Sequence, residues 1–111
     1  MKPTYIYLLQ LDCEPYYKIG VTSDLIRRKD NLQTGNPFEL RYFHTVRCKS
    51  RYIAYSTETT LHHRYKRYHI RLEWYHLPLD KLLDAVSIIS QVGETVSFDK
   101  LKMGIDNQCR V

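Results

Sequence analysis

Residues 5–11 are a run of strand-forming side chains without a breaker, and residues 16–21 form a second, shorter run. Asp12-Cys13-Glu14-Pro15 between them carries turn chemistry, so the two runs read as a β-hairpin. A two-stranded ribbon is marginal alone in water, so whatever follows has to extend the hairpin and cover it.

The rest of the chain alternates between helical and strand periods. Thr22-Ser23-Asp24 is a helix N-cap signal and Gly35 with Pro37 is a stop signal, which predicts a helix of about ten residues between them. Residues 39–48 set Leu40, Tyr42, His44 and Val46 against Arg41, Phe43, Thr45 and Arg47, the alternation of a third strand. Residues 52–68 predict a second helix with Ala54, Leu61, Tyr65 and Tyr68 on one side. Residues 73–77 predict another short strand, closed by Pro78. Residues 79–92 predict a third helix with Leu79, Leu82, Leu83, Val86 and Ile89 inward and Ile88 opposite. The order ββαβαβα predicts an α+β domain, a small, mainly antiparallel sheet of three to four strands flanked by helices. That domain is expected to span residues 1–93. Residues 94–111, where the periodic signal fades, are expected as a C-terminal appendage or tail.

A chain of 111 residues fits one domain whose core needs neither disulfides nor a structural metal. Cys13, Cys48 and Cys109 are odd in number and widely spaced, which argues against a disulfide framework or zinc knuckle and for three reduced thiols. No apolar run is long enough for a membrane span and no signal-peptide pattern follows Met1, so the expected setting is the cytoplasm, with no membrane partner.

The net charge of +5 suggests a polyanionic partner, and its distribution says more than its total. Between Arg41 and Arg71 there are eight Lys or Arg residues against one acid, Glu58, with Tyr42, Tyr52, Tyr55, Tyr65 and Tyr68 interleaved. Cations among flat amphipathic rings suit a phosphate backbone with adjacent bases or sugars. The expected contacts are Arg27 and Lys29 on the first helix, and Arg47, Lys49, Arg51, Arg64, Lys66 and Arg67 beyond it. The alternative is a solvated basic helix with its tyrosines in the core.

Two charges fall where an apolar residue is expected. Glu58 lies four residues from Ala54, three from Leu61 and seven from Tyr65, on the apolar stripe of the second helix. Arg28 lies three after Leu25 and four before Leu32, so it too is expected to face inward, with Arg27 and Lys29 pointing away. A carboxylate on such a stripe is costly unless paired or bound to a cation. The two charges either pair with each other or line one site, Arg28 for an anion and Glu58 for a metal. His62, one turn after Glu58, is either a packing residue or a group that orients water or accepts a proton.

Tyr5-Ile6-Tyr7 and Lys18-Ile19-Gly20 resemble the two halves of the GIY-YIG nuclease motif, with Arg28 and Glu58 at the family's catalytic arginine and metal-binding glutamate. One branch fits better. Tyr17-Lys18-Ile19-Gly20, Leu32-Gln33-Thr34-Gly35-Asn36-Pro37, Glu58 with Leu61-His62, and Glu73-Trp74-Tyr75 resemble the T5orf172-type domain, shared with the meiotically up-regulated gene family. The chain departs from the pattern at Tyr5 and Leu72, where glycines are usual, and at Lys18, where better-studied nucleases carry the second tyrosine.

The resemblance implies a metal-dependent endonuclease that hydrolyses nucleic-acid phosphodiesters, DNA being the expected substrate. Glu58 would hold one Mg²⁺ or Mn²⁺ and Arg28 would clamp the scissile phosphate. Tyr7 would position the attacking water or act as base, helped by Lys18, with His62 as the alternative base. Domains of this type are common in phages and mobile elements, so a phage- or virus-encoded protein in a host cell is the implied context. A homodimer would supply a second active site for a double-strand cut, and no residue marks its face. Two other classes stand beside this one. The first is a nucleic-acid-binding module of the same fold with weak or no catalysis. The second is a protein that binds a host protein, whose sign would be exposed apolar residues on the third helix or in residues 94–111.

Overall fold

The computed structural model describes residues 2–97. In chain order they form β1 (Thr4–Leu11), β2 (Tyr16–Thr22), α1 (Leu25–Gln33), β3 (Leu40–Cys48) and α2 (Arg51–Arg64). A 3-10 turn (Lys66–Tyr68), β4 (His69–Arg71), β5 (Trp74–His76), α3 (Leu79–Ser90) and β6 (Gly93–Thr95) complete them. The strands make one antiparallel sheet in the order β4-β5-β2-β1-β3-β6. The α+β class is the expected one, but the sheet has six strands instead of three to four. Residues 93–95 form β6 on the outer edge of β3, so the sheet reaches into the segment expected as an appendage. Residues 98–111 of that segment lie outside the described residues.

The other added strand comes from a helix that stops early. Tyr65 caps α2, its N–H shared between the carbonyls of Leu61 and His63. Its hydroxyl donates to Asp84 Oδ2 at 2.6 Å, and Arg64 Nε donates to the same oxygen at 2.6 Å. α3 thus fixes the end of α2, and helical periodicity past Arg64 is overridden by that contact. The chain then turns back through Leu72, at φ 53, and Glu73 to make the β4–β5 hairpin.

Side-chain alternation divides the sheet into two faces. Ile6, Leu8, Tyr17, Ile19, Val21, Val46 and Tyr75 form the larger core with Ala54, Leu61 and Tyr65 of α2 and Leu82, Ala85 and Ile89 of α3. On the other face Tyr7, Leu9, Leu40 and Tyr42 pack with Leu25 of α1, and Leu11, Leu32 and Trp74 lie at the margin. The α3 stripe is shifted from the expected one: Leu79 is 69% and Leu83 is 56% exposed, while Ile88 joins the core margin. Cys48 is a buried free thiol. No described helix is long and apolar enough to cross a membrane.

Candidate active site and nucleic-acid interface

The site forms where β5 runs out. β5 pairs only with Tyr16, Tyr17 and Lys18, which leaves residues 19–22 of β2 without a strand neighbour on that side. α2 takes the vacant place. His62 Nε2 donates to the Ile19 carbonyl at 3.1 Å, and its ring lies 5.4 Å from that of Tyr75. This satisfies an edge carbonyl that would otherwise be orphaned and brings Glu58, one turn earlier, to the same edge. From the sheet itself, Tyr7 lies over Gly20. A Cβ at Gly20 would come within 2.6 Å of Tyr7 Cζ and closer still to Oη, so only glycine admits the ring there. Lys18 shares this face, being the cross-strand partner of Leu9 in β1 and of Trp74 in β5.

Glu73, in the β4–β5 turn, completes the group. Its Oε1 accepts from Lys18 Nζ at 3.0 Å. Sequence reasoning did not single it out as a site residue, because periodicity does not reveal that a two-residue turn points an acid at a strand lysine. The Glu73-Trp74-Tyr75 motif, which contains it, was the available signal.

The half-buried Glu58 carboxylate makes no hydrogen bond or ion pair within 4 Å among the described residues, and no direct bridge joins it to Arg28. Burial pushes its carboxyl pKa up. His62 pulls it down, Glu73 pushes it up, and Lys18 and Arg28 pull it down. Tyr7 is 1% exposed, and burial pushes its phenol up to about 12. Arg28 is the cation that opposes this rise, while Glu73 and Glu58 add to it. The Lys18 ammonium, expected to favour a Tyr7 phenolate, sits on Glu73. Tyr7 therefore carries its proton at neutral pH. Its ring meets Tyr42 edge-on at 5.3 Å, and Tyr42 Oη donates to the Leu25 carbonyl at 2.7 Å, fastening α1 to the sheet.

Arg28 does not face inward as expected. Leu25 is the one fully buried residue of α1 and Leu32 packs at the core margin, while Arg28 between them is exposed at the rim. There it lines an open cleft of about 730 Å³ with Lys2, Arg47, Lys49, Arg51 and Tyr55. No carboxylate lines this cleft among the described residues. The N-terminus of α2 opens into it, capped by Ser50 Oγ, which accepts from the Ile53 N–H at 3.1 Å. Such a terminus favours an anion.

The remaining basic residues lie elsewhere. Arg27 is exposed and Lys29 half-buried on α1, and neither lines the cleft. Arg64 is held by Asp84, on the α3 side of α2. Lys66 borders a smaller cavity of about 400 Å³ with His62 and Tyr75, and Arg67 is exposed on the 3-10 turn. The basic band of the sequence is thus split, and its first half joins Arg28.

No group of three or more His, Cys, Asp or Glu residues able to hold a metal occurs among the described residues. That excludes a multi-ligand protein cage there. Glu58 is a half-buried carboxylate without a protein partner among the described residues. In comparison with known proteins, the family model of the T5orf172 domain matches residues 4–90. No curated protein and no solved structure matches the chain.

Proposed function

We propose, from the premise that the chain belongs to the T5orf172 domain family, that it is a divalent-cation-dependent endonuclease acting on nucleic-acid phosphodiesters, DNA first among them. The observation that carries this reading is Glu58: a half-buried carboxylate with no protein partner among the described residues, near enough to Lys18 and Arg28 to feel both charges, while Arg28 itself lines a basic cleft.

In this reading the cleft takes the phosphates that flank the cut, with Arg47, Lys49 and Arg51 as point charges. Arg28, at the junction of cleft and site, contacts the scissile phosphate and stabilises the charge that develops on it. Glu58 would hold one Mg²⁺ or Mn²⁺, which would supply Lewis-acid stabilisation of the developing negative charge. The Tyr7 hydroxyl positions the attacking water, and Lys18 and Glu73 hold the neighbouring edge of the site in register. His62 positions α2 through the Ile19 carbonyl.

A second reading, a binding module of the same fold, draws on two observations. Burial keeps Tyr7 protonated, and Lys18 is engaged by Glu73, so neither is poised as a base. The reading in which α3 docks on another protein draws on exposed Leu79 and Leu83, and two such side chains are ordinary surface. Incubating supercoiled plasmid and single-stranded oligonucleotide with Mg²⁺, Mn²⁺ or EDTA separates the first two. Cation-dependent cleavage lost in Glu58→Ala and Arg28→Ala supports the enzyme. A salt-sensitive gel shift with no cleavage under any condition supports the binder.

A further inference from the structure

A second groove, of about 1200 Å³, lies on the same sheet face as Tyr7 and Lys18, between residues 34–38 and the β4–β5 hairpin. Tyr16, Phe38, Ile70, Arg71, Trp74 and His76 line it, and no carboxylate does among the described residues. It starts one step from the site. Trp74 is the cross-strand partner of Lys18, and His76 is that of Tyr16, two residues further along both strands. The Tyr16 and His76 rings lie 5.4 Å apart.

The far wall is built to be stiff. Gly35 takes φ +79 to reverse the chain after α1. The Gln33 carboxamide then ties the loop down, donating to the carbonyls of Asn36 and Phe38 at 3.3 and 2.9 Å and accepting from the Leu40 N–H at 2.8 Å. Asn36 Oδ1 accepts from the Phe38 N–H at 2.9 Å. This frame presents a phenyl ring that is 55% exposed. An exposed ring held by a stapled loop loses little entropy on binding, which is how a contact residue, not a core residue, is best presented.

We infer that this groove is a base-stacking subsite for unpaired nucleotides beside the phosphate bound at Arg28, so that the substrate is a strand with a single-stranded stretch. The inference rests on the proposed nucleic-acid site and deepens it. Flat rings and one guanidinium, with no carboxylate among the described lining residues, match the face of a base and the charge of its phosphate. The volume exceeds the range of about 300–1,000 Å³ typical of small-ligand pockets, as a polymer segment requires. Bases stacked within a duplex cannot offer their faces to Phe38 and Trp74, whereas unpaired bases can.

Trp74 is the single tryptophan, so its emission reports on the groove without any substitution. In EDTA, titrating the full chain with a short oligothymidylate is expected to quench Trp74. An abasic strand of equal length and a blunt duplex should bind through the basic cleft without quenching. Phe38→Ala, at an exposed position, should weaken oligothymidylate binding about five-fold or more and leave duplex binding unchanged. Equal quenching by the abasic strand or the duplex, no quenching by oligothymidylate, or unchanged affinity in Phe38→Ala would each overturn the subsite. Failure here with cation-dependent plasmid cleavage intact removes the groove and leaves the nuclease reading standing. Base-dependent quenching with no cleavage under any condition does the reverse.

Discussion

Replacing Gly20 by alanine adds one methyl group where the structure leaves no room for it. The new Cβ would lie 2.6 Å from Tyr7 Cζ and 3.1 Å from Cε2, with Oη nearer still. Tyr7 has little freedom to retreat, being 1% exposed and packed edge-on against Tyr42. Gly20 does not have a positive φ, so alanine meets no backbone penalty there. Relief of glycine's entropy cost in a strand would by itself stabilise by about 0.5–1 kcal/mol. Overpacking of a rigid core costs about 1–3 kcal/mol. The second effect wins, for a net loss of about 1 kcal/mol. Urea unfolding followed by circular dichroism should show a lower midpoint with the same slope, and Tyr7→Leu in the Gly20→Ala background should recover part of the loss, a coupling that a double-mutant cycle measures. A Gly20→Ala chain as stable as the wild type would refute the contact between motif glycine and motif tyrosine.

Other consequences follow from charges and one turn. Burial raises the Glu58 carboxyl pKa above its unfolded value, so the stability it contributes is present below about pH 4.3 and is lost as pH rises through the folded value. Glu58→Gln should therefore flatten the pH dependence of the urea midpoint above that range and unfold no more easily than wild type at neutral pH; a clear loss of stability there would argue for a structural ion pair. Arg47→Ala and Arg51→Ala should each lower the slope of log affinity against log salt by about 0.9, while Arg64→Ala, whose partner is Asp84, should leave it unchanged. Equal effects from all three would disperse the cleft. Leu72 sits at φ 53 with 75% of its surface exposed, a conformation costing a non-glycine residue about 1–2 kcal/mol. Leu72→Gly should be neutral or slightly stabilising in the same unfolding assay, and a loss above about 1 kcal/mol would show that the side chain is needed for packing.

The hairpin, α1 and β3 were legible because their signals are local. Asp24 accepts from the Arg27 N–H as an N-cap should, and Gly35 takes the left-handed turn that its position after α1 demands. What escaped was set by distant contacts. The end of α2 depends on Asp84, a partner on α3, and its three-residue successor strand β4 is too short to show a period. Leu79 and Leu83 fit a helical stripe as well as Leu82 does, and only the position of α3 on the sheet decides which of them is buried. In the site, Glu58 showed itself as a carboxylate on an apolar stripe, and it stands half-buried at that stripe's margin. Arg28 reached its cleft by a different route, from the rim of a helix that covers little. Glu73 had no periodic signal at all, since its place depends on the register of β5 against β2.

Mn²⁺ titrated into the isotope-labelled protein, with amide resonances read by paramagnetic broadening, locates the cation directly. Bound at Glu58, it should broaden Glu58, His62 and Gly20 first, and the effect should vanish in Glu58→Gln while the rest of the spectrum is unchanged. Broadening centred on Asp84 or another exposed acid, or persisting undiminished in Glu58→Gln, would contradict a metal site at the edge of β2.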